Sequence, residues 1–76
     1  MAKCIVRYIG NKNTVVDAAI EAAAGRPPDK TSFAYPSGPG GKLITVTIHE
    51  YSGTKESCAA IDKALEPLFG VEAFVE

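Results

Sequence analysis

Two stretches with the apolar spacing of a helix, each closed by glycine or proline, separate four stretches that alternate with a period of two. This order constrains the chain more than any other feature. Lys3 to Ile9 alternates, with Cys4, Val6 and Tyr8 on one side and Ile5, Arg7 and Ile9 on the other, and Gly10-Asn11 ends it. Asn13 or Thr14 then caps a helix whose Val16, Ala19, Ile20 and Ala23 fall at i, i+3, i+4 and i+7, and Gly25 is placed to stop it. Pro27 and Pro28, which lack amide donors, make a turn before a short strand, Thr31 to Tyr35. Pro36 to Gly41 connects that strand to a longer one, Lys42 to His49. Ser52 or Thr54 caps a second helix marked by Cys58, Ile61, Leu65 and Leu68. Pro67 ends it, and Gly70 releases the chain into a last alternating strand from Val71.

The order strand, helix, strand, strand, helix, strand predicts an α+β fold: a four-stranded antiparallel sheet with two helices on one face, the ferredoxin-like βαββαβ arrangement. Seventy-six residues suffice for one such domain, residues 1–76. In this topology the first and third strands are central, and the second and fourth are edges. Burying Arg7 under the helices without a partner would cost several kcal/mol, so Cys4, Val6 and Tyr8 are expected to face the helices. Ile44, Val46, Ile48, Val71, Ala73 and Val75 are expected to join them. The open face would then carry Ile5, Arg7, Ile9, Leu43, Thr45, Thr47, His49, Glu72 and Phe74, a mixture more apolar than a solvated sheet face needs.

Charge is distributed unevenly along a nearly neutral chain. Residues 1–42 hold six basic and three acidic side chains, and residues 43–76 hold two basic and six acidic. The folded order turns this split into an edge-to-edge polarity, with Lys30 and Lys42 flanking the second strand and Glu72 and Glu76 on the fourth. The two cysteines, Cys4 and Cys58, have no metal-ligand spacing with His49, the one histidine. They read as small buried thiols in a reducing, cytoplasmic setting. The N-terminus lacks the apolar core of a signal peptide, and no apolar run is long enough to span a membrane.

Three motifs invite chemistry. Ser37-Gly38-Pro39-Gly40-Gly41-Lys42 is glycine-rich and ends in lysine, but Pro36 and Leu43 stand where a phosphate loop needs glycine and a hydroxyl, and a strand follows instead of a helix. Ser37, Gly38, Gly40, Gly41 and Lys42 are therefore read as an adaptable contact loop. Tyr8-Ile9-Gly10-Asn11 resembles the first ribonucleoprotein motif of the RNA-recognition motif family, whose topology also matches. However, Arg7 stands where that family buries an aliphatic residue, and the third strand lacks the paired aromatics on which bases stack. The run Ser57 to Leu65 followed by Gly70-Val71-Glu72 is similar to a helix and strand of heavy-metal-associated domains, but Lys55 occupies the position three before Cys58 where a second thiol would be needed. His49 alone, beside Glu50 and without an evident nucleophile, points to no catalytic site.

The expectation is a non-enzymatic protein-interaction module without cofactor or metal: a regulator, an assembly factor or an inhibitor of a larger machine, viral ones included. Its partner would be another protein or a second copy, with nucleic acid and membrane disfavoured. The expected contact residues are Ile5, Arg7, Ile9, Thr45, Thr47, His49 and Phe74 on the open face, with Lys42 in the loop. A nucleic-acid- or small-ligand-binding module on the same face is the alternative, and a small hydrolase ranks third.

Overall fold

The computed structural model describes residues 2–76. Strand β1 (Ala2–Ile9) leads into helix α1 (Thr14–Ala24), and β2 (Lys30–Ala34) and β3 (Val46–Gly53) follow. Helix α2 (Lys55–Leu65) and β4 (Val71–Val75) complete the chain. All pairings are antiparallel in the order β2-β3-β1-β4, so the ferredoxin-like α+β fold is observed with β1 and β3 central.

Local chemistry explains the element boundaries. The Asn13 side chain accepts from the amides of Val15 and Val16 at 2.9 and 3.3 Å, and Gly25 closes α1 in the left-handed region at φ 82°. Thr54 caps α2 by accepting from the Ser57 amide at 3.1 Å. The turn after α1 is fastened to the end of β3: Arg26 bonds both Asp29 carboxylate oxygens at 3.0 and 3.1 Å and donates to the Ser52 carbonyl at 2.7 Å. The Ser52 amide in turn donates to Asp29 at 2.7 Å. That amide, with Arg26 beside it, holds the Asp29 carboxyl below its ordinary value.

The core lies between sheet and helices. Cys4, Val6 and Tyr8 of β1 are buried against Ile20 of α1 and Cys58, Ile61 and Leu65 of α2, with Val71 and Ala73 of β4 packed beside them. These sides agree with the alternation of β1 and β4. Strand β3 does not. Its buried residues are Thr47, His49 and Tyr51, while Val46, Ile48 and Glu50 occupy the open face.

The inversion has a physical cause. The strand begins at Val46, not Lys42, and runs on through Tyr51, whose large ring is fully buried opposite Cys4. Burying that ring removes more apolar surface from water than burying an isoleucine, provided the polar residues that share its side find partners. Thr47 and His49 find them under α1. Leu43 and Ile44 fall outside the strand. Leu43 bridges Ser37 across the loop and is exposed, and the Ile44 amide donates to the Pro36 carbonyl at 3.0 Å.

Candidate functional site

The covered face holds a chain of polar contacts that fixes helix to sheet. The Tyr8 hydroxyl donates to Asp17 Oδ1 at 2.6 Å and accepts from the Asn13 amide at 3.0 Å. His49 Nε2 meets the same Asp17 oxygen at 2.8 Å, and its Nδ1 meets the Thr31 hydroxyl at 2.9 Å. Thr47 Oγ1 donates to the Gly10 carbonyl at 3.0 Å. Burial pushes the Asp17 carboxyl up, but donation from Tyr8 and His49, with Lys12 nearby, brings it below its ordinary value. Burial, together with the bond to Asp17, raises the Tyr8 phenol. Two polar atoms here, Asp17 Oδ2 and the Tyr51 hydroxyl, are buried without a partner among the described residues. The Tyr51 phenol is raised to about 12, chiefly by burial.

Thr47 and His49 therefore do not belong to an open-face contact surface. Both are buried beneath the helices, and their side chains are spent on internal hydrogen bonds. Thr45 is not on that face either. It precedes β3, is half-buried, and its carbonyl accepts from the Gly10 amide at 2.7 Å. Asp17 carried a sequence signal for this arrangement: it lies three residues before Ile20, on the buried stripe of α1, where a carboxylate requires donors. Tyr8 and His49 are those donors.

The open face retains Ile5, Arg7, Ile9 and Phe74 and gains Val46 and Ile48. Register places these residues in rows across the sheet. Lys30, Glu50, Ile5 and Phe74 form one row; Ser32, Ile48, Arg7 and Glu72 the next; Ala34, Val46 and Ile9 the third. Apolar side chains from both central strands are thus contiguous. Ile9 is 76% exposed and Phe74 42%. Two of the face's three cations are tied down on the same surface. Arg7 Nε bonds Glu72 at 2.8 Å, its guanidinium lies 5.7 Å from the Phe74 ring centre, and Lys3 Nζ lies 3.2 Å from Glu50. At the Ile9 end, Arg7, Ile9, Ile44, Val46 and Glu72 wall a shallow pocket of about 200 Å³.

No family model, curated protein or solved structure matches the chain.

The 36–42 loop is shaped, not merely long. Pro39–Gly41 makes a tight turn closed by the Gly41 amide donating to the Gly38 carbonyl at 3.2 Å, in which Gly40 and Gly41 take φ of 73° and 77°, a left-handed region that glycine enters without strain. The Gly38 amide donates to the Lys42 carbonyl, and Ser37 bridges Leu43. Ser37, Gly40, Gly41 and Lys42 are exposed and Gly38 is half-buried, so the loop extends the β2–β3 hairpin beyond the sheet. Cys4 and Cys58 are free and buried in the core. Burial, with Asp62 and Cys58 adding to it, pushes the Cys4 thiol to about 11. No helix among the described residues is long and apolar enough to cross a membrane.

Proposed function

We propose that this chain is a non-enzymatic protein-interaction module that binds through the open face of its sheet, with the 36–42 loop as a neighbouring contact. One observation carries the reading. Strand β3 turns Val46 and Ile48 outward and buries a threonine, a histidine and a tyrosine in their place. Val46 and Ile48 are half-buried by their neighbours, and the apolar surface they still show leaves water only when another surface covers it. A protein surface suits this face better than a nucleic acid, because two of its three cations, Arg7 and Lys3, are paired with carboxylates there, and Lys30 alone is a thin supply for phosphates. The proposed roles are those of a regulator, an assembly factor or an inhibitor. The proposed setting is the cytoplasm, where free thiols such as Cys4 and Cys58 persist.

The test compares proteins captured from the native host by the wild type and by Ile48→Asp, with thermal melts of both. The reading expects Ile48→Asp to fold and to lose the specific captures. Unchanged capture by a folded Ile48→Asp would overturn it.

A further inference from the structure

We infer that the occupant of the open face is a second copy of this chain, stacked open face to open face about a two-fold axis that runs along the strands between β1 and β3. The inference rests on the interaction reading above and adds the partner's identity and register.

The face carries Lys3, Arg7 and Lys30 against Glu50, Glu72 and Glu76, so it is balanced and does not repel itself. Four of these are paired internally, as Lys3 with Glu50 and Arg7 with Glu72. Lys30 and Glu76 make no ion pair among the described residues, and they sit on opposite edges. Glu76 continues the β4 edge, since its amide donates to the Lys3 carbonyl at 2.8 Å. A two-fold axis along the strands lays β2 of one copy over β4 of the other. Lys30 shares a row with Phe74, so it then falls on the second copy's Phe74, between Glu72 and Glu76. The relation is reciprocal, as an isologous contact requires.

The same axis places β3 over the second copy's β1, which sets Val46 on Ile9 at the exposed apolar end of the face. Two eight-residue strands about 27 Å long and two five-residue strands about 17 Å long, all about 4.8 Å apart, present roughly 420 Å² in projection. Side-chain relief raises this toward the roughly 800 Å² per partner of a standard interface. Stacked sheets also provide what a small chain lacks, a second apolar layer.

Sedimentation velocity over a concentration series tests the proposal. The wild type should sediment at twice the monomer mass, and Lys30→Glu and Glu76→Lys should each weaken self-association by about tenfold or more at low salt. The double variant Lys30→Glu/Glu76→Lys restores the charge pairing in reverse and should recover affinity to within about threefold of wild type. Both substitutions are at exposed positions and leave the core intact. A wild type that stays monomeric at about 100 μM, or a double variant no tighter than its singles, would overturn the inference. A monomeric wild type that still captures another protein, with capture abolished by Ile48→Asp, overturns the self-pairing alone and leaves the interaction reading standing. A monomer whose captures are indifferent to Ile48→Asp overturns both.

Discussion

The two faces of this sheet have exchanged their expected roles along β3. The covered face buries Tyr8, Thr47, His49 and Tyr51, while the open face shows Ile5, Val46, Ile48 and Phe74. The covered face can be polar because most of its donors and acceptors meet, with Asp17 receiving both Tyr8 and His49. The open face can be apolar only at the cost of leaving that surface in water until something covers it. The contrast teaches that hydrophobic alternation sets a strand's phase only when nothing on the opposite phase is larger or better partnered.

Disrupting the covered network should give the largest effect. His49→Leu keeps the volume but removes a donor from Asp17, and we expect a loss of about 2–3 kcal/mol in urea unfolding. A loss below about 0.5 kcal/mol would mean that the contact contributes little to holding α1 to the sheet.

The two buried tyrosines sharpen the comparison within the covered face. The Tyr8 hydroxyl both donates and accepts, whereas the Tyr51 hydroxyl has no partner. Tyr8→Phe should cost about 1–2 kcal/mol, while Tyr51→Phe should be neutral or slightly stabilising, because it deletes a buried polar atom that gains nothing. Equal losses in the two variants would contradict the network.

Acid should act on the same element. The folded Asp17 carboxyl lies below its ordinary value near 3.8, so its contribution to stability is complete above that value and is lost as pH falls through the lower folded one. Unfolding free energy measured from pH 2 to 6 should therefore decline at the acid end, with a shallower decline in Asp17→Asn. Matching slopes in the two proteins would remove Asp17 from the account.

The open face should respond least in a dilute monomer. Ile48→Thr is expected to change stability by under about 1 kcal/mol, and Arg7→Ala, at an exposed ion pair, by under about 0.5 kcal/mol. A loss of about 3 kcal/mol at Ile48 would place that side chain in the core, not on the surface.

Much of this architecture could be read from residues alone. The order of elements follows from period and punctuation, with Asn13, Gly25 and Thr54 acting as local caps whose chemistry needs no tertiary context. The phase of β1 was decided by a single costly residue, Arg7. The phase of β3 was not legible in the same way, because a window ending at His49 counts three β-branched residues on one side and omits Tyr51. The choice also depends on Asp17, a partner 32 residues away from His49. The candidate site divides along the same line: Ile5, Arg7, Ile9 and Phe74 stand on the open face, whereas Thr45, Thr47 and His49 do not.

The inversion of β3 is tested most directly by a nuclear Overhauser spectrum of the isotopically labelled protein. The account predicts contacts from the His49 ring to the Asp17 region of α1, and none from the Ile48 methyls to Ile20 or Leu65. Ile48 and Val46 methyls in contact with Ile20 and Leu65, with the His49 ring near Arg7 and Phe74, would contradict it.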